Sequence, residues 1–280
     1  MNISVVGGDL RQLTLARLLR EDGYPVKVAG FDKGPGNTFE TPDGIWESEV
    51  IILPIPASHD AKCVNAPYSE NPIYIDPDNL SHAKLILGGN ISEPLKNIFD
   101  SIGAKYIDYL KRDELMIRNA IPTAEGAVEI AFSELPITIH SSNCLVVGYG
   151  RIGKILSDML RNLGANVTVS ARKCSDLAWI AARGCTPVHN SDLANEISGF
   201  DAIFNTVPAM ILDKNVLMQV HPDTLIIDLA SKPGGVDFAT AKDLGLKVIW
   251  SLGLPGKTAP ITSGEIIKDT VINILSETEV

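Results

Sequence analysis

Short apolar runs ending in glycine or proline alternate along the chain with amphipathic stretches at helical spacing, and two of the runs open into glycine turns. That alternation predicts an α/β protein with parallel strands covered by helices on both faces. A chain of 280 residues can build two such domains, each with its own core. The expected architecture is therefore α/β with two open parallel-sheet domains.

"NISVVGG" is a β-branched run ending in glycines, followed by "LRQLTLARLLREDGY", whose Leu10, Leu13, Ala16 or Arg17, and Leu18 recur at helical spacing. "PVKVAGFD" is a second strand ending near Gly30, and "SEVIILPIP", "AKLILGG" and "AKYIDYL" supply three more. Five such runs predict a flavodoxin-like N-terminal domain over residues 1–118. "RDELMIRNAIPTAEGAVEIAFSEL" reads as helical, with a short helix ending near Asn119 and a longer one starting at Pro122, where proline suits the first turn. Residues 119–140 are thus expected to form an interdomain helix and linker. The second domain repeats the pattern: "NCLVVG", "NVTVSA", "DAIFNTVP", "TLIIDLAS" and "KVIWSLGLPG" read as strands, "RIGKILSDMLRNLG" and "DLAWIAARG" as helices. A C-terminal helix is expected over 265–280, with packing back across the junction as one arrangement open to it.

Composition excludes several functions. A formal net charge of −10 without a basic stripe argues against nucleic acid. No apolar run approaches the roughly 20 residues of a membrane helix. "MNISVVGGDLRQ" reads as a strand, so no signal peptide is expected and the protein is placed in the cytoplasm. Cys63, Cys144, Cys174 and Cys185 are scattered and lack metal-ligand spacing, so no metal site is expected. Their expected place is in the core, as small apolar residues.

The chemistry concentrates in "CLVVGYGRIGKIL". Gly148, Gly150 and Gly153 match G-x-G-x-x-G between a strand and a helix, which makes residues 141–264 a Rossmann C-terminal domain. The first glycine permits a tight turn, the second admits a pyrophosphate, and the third lets helix and strand approach. The N–H groups of Arg151, Ile152 and Gly153 at the helix start then suit an anion. About 20 residues on, an NAD site carries an acid for the ribose 2′-hydroxyl. This chain has "VTVSARKCS" there, with Ser170, Arg172 and Lys173. A hydroxyl and a guanidinium fork suit a 2′-phosphate, so the expected cofactor is NADP; a solvated basic turn is the plainer reading of the same residues. Thr206, Val207 and Pro208, and Asp228, Ala230 and Ser231, follow later strands and are expected to face the nicotinamide half.

Several separated segments, "VVGGDLRQ", "NAIPTAEGAVEIA", "NTVPAMIL", "DLASKPGGVDFATAKDLG" and "GLPGKTAPITSGEII", resemble the dipicolinate synthase A-subunit family nearly from end to end. The resemblance implies NADP-dependent oxidation of dihydrodipicolinate to dipicolinate, in the branch leaving lysine biosynthesis. It also implies partnership with a flavoprotein-like B-subunit, and the mother cell of a sporulating bacterium as location. A homo-oligomer is expected. Whether the substrate is dihydrodipicolinate or a hydroxylated precursor stays open. More distantly, the layout is similar to that of D-2-hydroxy-acid and alanine dehydrogenases.

Such a reaction needs a diacid held by oriented donors. Gly8, Arg11 and Gln12, at a glycine turn opening a helix, suit one carboxylate, with packing by Gly7 and Gly8 and a solvated Arg11 as the alternative. Asp9 beside them suits a helix cap. Asn119 and Thr123, on the expected crossing between domains, are candidate substrate contacts, and Glu125 is a candidate proton acceptor; helix capping would explain Thr123 and Glu125 equally. Lys232 is a candidate for the second carboxylate, and Lys257 a weaker one. No histidine follows His221, which counts against a 2-keto- or 2-hydroxy-acid dehydrogenase with a late acid–base histidine. A non-catalytic NADP(H)-sensing protein is the third reading.

Overall fold

The computed structural model describes residues 1–34 and 44–278; residues 279 and 280 of the expected C-terminal helix lie outside them. The chain divides into two compact units, Met1–Asn119 with Ala259–Val280, and Ala120–Thr258.

The first unit runs β1 (Ile3–Val6), α1 (Leu10–Glu21), β2 (Val26–Ala29), β3 (Val50–Ile52), α2 (Pro77–Leu80), β4 (Leu85–Gly88), α3 (Glu93–Ser101), β5 (Tyr106–Asp108) and the start of α4 (Asp113–Glu134). Its five strands are parallel, in the flavodoxin-like order β2-β1-β3-β4-β5. The period of two sorts the side chains. Ile3, Val5, Ile52 and Leu87 pack with Leu15 and Leu19 of α1; Val6, Ile51 and Ile86 pack with Leu80 of α2 and Leu95 and Phe99 of α3. Burial on both faces is why these strands read as unbroken apolar runs.

Pro122 lies inside α4, so the expected helix break is absent. A proline in a helix interior costs about 3 kcal/mol. Here the helix is held on both sides of it: Leu115 joins the core of the first unit, while Ala124, Ala127, Val128 and Ala131 join that of the second. Tertiary burial outweighs the local preference.

The second unit continues with β6 (Asn143–Val147), α5 (Arg151–Asn162), β7 (Asn166–Ala171), α6 (Cys174–Ala182), β8 (Thr186–His189), α7 (Leu193–Glu196), β9 (Ala202–Asn205), α8 (Lys214–Leu217), β10 (Leu225–Asp228), α9 (Phe238–Asp243), β11 (Lys247–Trp250) and α10 (Leu254–Thr258). All six strands are parallel in the order β11-β10-β9-β6-β7-β8, the doubly wound Rossmann arrangement. Strand β8 escapes the sequence reading because "TPVH" is short and contains Pro187. It forms the sheet edge, where a strand tolerates proline.

The last helix, α11, runs Pro260–Thr278 and belongs to the first unit. It starts five residues earlier than the sequence suggests, because a proline suits a first turn. Ile266, Ile267, Val271 and Ile274 complete the core over α1. The crossing is close: a β-carbon on Gly264 would lie 2.6 Å from Thr14 Cβ and 2.7 Å from the Arg11 carbonyl oxygen. Arg112 grips Glu277 through two nitrogens at 2.6 and 2.7 Å. Cys144 and Cys185 are buried, but Cys63 is half-buried and Cys174 is exposed, correcting the expectation of four core cysteines. Cys174 is the first residue of α6, at the open end of the sheet. Among the described residues no helix is long and apolar enough to cross a membrane.

Candidate coenzyme site

Strand β6 delivers its chain into Gly148, whose φ of +100° lies in the left-handed region that favours glycine. A β-carbon there would also stand 2.6 Å from Val207 Cγ2 and 2.7 Å from Thr206 Oγ1. Gly148 N–H donates to the Ser170 carbonyl at 3.0 Å, tying the turn to β7. At Gly153 a β-carbon would overlap the Gly148 carbonyl oxygen, so only glycine lets α5 start this close. Gly150 is different. It caps α5 with no side chain of its own, and nothing stands within 4 Å of the place where its β-carbon would be. The second glycine therefore keeps open the space over a helix start, where pyrophosphate binds in such turns.

That space belongs to a cleft of about 510 Å³. Gly148 and Gly150 line one side, Arg172 and Lys173 from the end of β7 another, and Thr206, Val207 and Pro208 from the end of β9 a third. The cleft thus unites seven residues that the sequence suggested separately. Among the described residues the side chains of Arg172 and Lys173 have no ion-pair or hydrogen-bond partner. Two unclaimed cations facing a helix N-terminus fit an anionic ligand of several charges.

Other expected contacts lie elsewhere. Ser170 is fully buried and does not line the cleft; its hydroxyl has no hydrogen-bond partner. Ile152 packs against the core, leaving only its backbone toward the turn, and Arg151 is exposed on the first turn of α5. The Thr206 hydroxyl donates to the Val147 carbonyl at 2.9 Å and so braces β9 against β6. Asp228 is buried: Oδ1 accepts from Asn205 Nδ2 at 2.8 Å and from Ala230 N–H at 3.0 Å, and Oδ2 from Gly235 N–H at 3.0 Å. Ala230 is buried too and accepts the Trp250 indole N–H at 2.9 Å, while Ser231 and Lys232 are exposed on the loop beyond.

Among the cleft residues that the sequence reading missed, Tyr149, Lys154, Asp176 and Asn190 carry polar groups. Lys154 Nζ lies 5.4 Å from the centre of the Tyr149 ring, and burial pushes the Tyr149 phenol up from its ordinary range. Lys154 directly follows the third glycine, so the motif itself held that signal. Asn190 follows β8, and without that strand its position at a strand end was invisible. Its Oδ1 is buried without a hydrogen-bond partner.

The glycine turn of the first unit is closed instead. A β-carbon on Gly7 would meet Val64 Cγ1 at 2.6 Å and the Asn65 carbonyl at 2.9 Å, and Gly8 N–H donates to that same carbonyl at 2.8 Å. Here the glycines serve packing. Asp9 caps α1 in a capping box with Gln12 and holds Arg11 through two oxygens, Nε at 2.9 Å and Nη2 at 2.8 Å. Arg11 also reaches the Ile55 carbonyl at 3.3 Å and is buried, not solvated; among the described residues its Nη1 keeps no partner. Gln12 is fully buried with Nε2 unpaired. Near them Tyr109 donates to the Leu53 carbonyl at 2.8 Å, and burial drives its phenol well above the ordinary range. Asn119 and Thr123 are half-buried on α4, one turn apart, and Glu125 is exposed on the same helix. With α4 continuous, neither Thr123 nor Glu125 is near a helix start, which removes capping as their explanation.

Fold and cleft together define a two-unit protein of dehydrogenase type, with a glycine turn and an open cleft at one end of its second sheet. Residues 2–110 match the family described as the N-terminal domain of the dipicolinate synthase A-subunit. The chain is 36% identical to the dipicolinate synthase A-subunit of Bacillus subtilis (strain 168), over 99% of this chain and 96% of that protein. The crystal structure of the dipicolinate synthase A-subunit from Bacillus halodurans superposes with a TM-score of 0.91 at 33% identity, covering 98% of this chain and 97% of the other. An NAD-dependent formate dehydrogenase from Staphylococcus aureus, in complex with NAD, has a TM-score of 0.64 at 14% identity over 99% and 95% of the two chains, a likeness of fold alone. The chain belongs to the dipicolinate synthase A-subunit family.

Proposed function

We propose that this protein oxidises a dihydropyridine dicarboxylate, dihydrodipicolinate, to dipicolinate with NADP+. The observation that carries the proposal is the space over Gly150, open in one cleft beside Arg172 and Lys173, whose side chains are unpaired among the described residues. The residues present fit such a coenzyme. Backbone N–H groups at the start of α5 would hold the pyrophosphate, with Lys154 close by, and Arg172 and Lys173 the 2′-phosphate. When bound, the nicotinamide supplies a hydride acceptor.

For the chain's own residues, the task is to hold a planar diacid and exclude water while the ring loses a hydride and a proton and becomes aromatic. Arg11 is proposed to meet one carboxylate through Nη1. Its pairing with Asp9 makes it a fixed donor more than a bare cation. Gln12, Lys232, Asn119 and Thr123 are the further proposed substrate contacts, and Glu125 the proposed acceptor of the ring proton. A flavoprotein-like B-subunit is the proposed partner, and membership of an A-subunit family supports such a counterpart.

The test supplies freshly prepared dihydrodipicolinate or its hydroxylated precursor with NADP+ and follows NADPH and pyridine absorbance together. Both signals rising in step support the reading; coenzyme binding without turnover, with and without the partner, would favour a sensing role. Arg11→Ala should raise the KM for the diacid about tenfold, the loss of one charge-assisted donor, with coenzyme affinity intact. An unchanged KM would remove Arg11 from the site.

A further inference from the structure

We infer that His189 is a positioning residue for coenzyme choice: its ring holds the carbonyl of Arg172 and so sets where the Arg172 and Lys173 side chains enter the cleft. The inference rests on the proposal that these two cations receive a 2′-phosphate.

His189 is the last residue of β8 and pairs with Ala171 at the end of the parallel β7–β8 ladder. The ladder ends at that rung, and among the described residues no backbone N–H donates to the Arg172 carbonyl. The His189 side chain takes its place, with Nε2 3.1 Å from the Arg172 oxygen. A carbonyl only accepts, so Nε2 must carry a proton. In the neutral ring Nδ1 is then an acceptor, and the surroundings agree: Ser191 N–H donates to it at 3.3 Å and the Ser191 hydroxyl stands 2.7 Å away. The hydroxyl has one proton, which this tautomer of the ring takes at Nδ1, so its 3.1 Å approach to Asp192 Oδ1 adds no second donated bond and Ser191 alone braces the ring from behind.

The other end of the same turn is fixed by α6. Lys173 is its N-cap residue, and the Lys173 carbonyl accepts from Asp176 and Leu177 N–H at 3.0 and 3.1 Å. Arg172 therefore lies between two anchors, one of them a single side-chain hydrogen bond from a neighbouring strand. Its guanidinium is exposed and unpaired among the described residues, so only the backbone sets its starting point. A fork donor recognises phosphate through geometry as much as charge, and a turn free to swing would lose that geometry while keeping the charge.

The two ring nitrogens can be separated by substitution. Glutamine places an amide N–H near the position of Nε2, whereas asparagine reaches only as far as Nδ1. Affinities for NADP+ and NAD+ would be measured by calorimetry for the full-length protein, His189→Gln, His189→Asn, Arg172→Ala and the double variant His189→Asn/Arg172→Ala. His189→Asn is expected to lower the NADP+ to NAD+ affinity ratio about fivefold to tenfold, as for the loss of one hydrogen bond, while His189→Gln keeps it. In the Arg172→Ala background the asparagine change should alter the ratio less than about twofold, because the side chain it positions is gone. His189→Phe, which fills the same space without a ring nitrogen, gives the same reading should His189→Asn fail to fold. If the wild-type protein prefers NADP+ through Arg172 but His189→Asn and His189→Phe leave the ratio unchanged, the role of His189 is overturned and the coenzyme reading stands. If the wild-type protein shows no NADP+ preference, or Arg172→Ala weakens both coenzymes equally, the 2′-phosphate reading falls and this inference with it.

Discussion

Arg172→Asp is expected to weaken NADP(H) binding about a hundredfold and NAD(H) binding less than about threefold. Two effects combine: a fork donor is lost, and a carboxylate is set against a phosphate that carries nearly two negative charges. Asp176 already lines the same cleft on the first turn of α6, so the added acid would leave Lys173 and Lys154 alone to balance the site. The carboxylate could instead accept from a ribose 2′-hydroxyl, which is why NAD(H) should lose little. Titration of both coenzymes by fluorescence or calorimetry gives the answer. Equal losses for the two would mean that Arg172 is a solvated turn residue and that selectivity lies elsewhere.

Asp228→Ala should cost about 3–5 kcal/mol of stability, the range for breaking a buried charged hydrogen-bond network. The carboxylate is wholly buried and takes donations from Asn205 Nδ2 and from the N–H groups of Ala230 and Gly235. Alanine would leave all three donors facing a cavity. The damage should reach the cleft, because Asn205 also donates to the Val207 carbonyl at 3.1 Å and accepts from Val207 N–H at 3.2 Å. Asp228→Asn keeps the shape but turns one acceptor into a donor, so an intermediate loss is expected. Denaturant melts measure both. A loss below about 1 kcal/mol for alanine would show that water replaces the carboxylate, and would return Asp228 to the candidates for ligand contact.

How far the sequence reaches can be judged from particular residues. The strands of both sheets except β8, and their parallel connection, were readable because burial on two faces writes an unbroken apolar run, and the helices between them keep their own period. The glycine turn at 148–153 was readable for a similar reason. A left-handed φ at Gly148 and the contact of Gly153 with the Gly148 carbonyl are constraints within six residues of chain. Arg172 and Lys173 could be placed because the length of one helix and one strand sets their distance from that turn.

Where a polar residue had several possible partners, its role depended on what distant segments brought to it. Asp228 reads as a strand-end ligand contact until Asn205 and Gly235 converge on it. Gly7 and Gly8 look like a second anion turn, yet the chain at 64–66 closes over them, while the space above Gly150 stays open. The sequence itself determined most of the strands and helices and where the glycine turn of the second unit lies, since propensity, period and backbone sterics act over a few residues. Only the tertiary structure decided that α4 runs through Pro122, that β8 exists at the sheet edge, and which polar groups remain unpaired in the cleft. Those outcomes rest on burial and hydrogen bonds between residues far apart in the chain, and no local pattern encodes them.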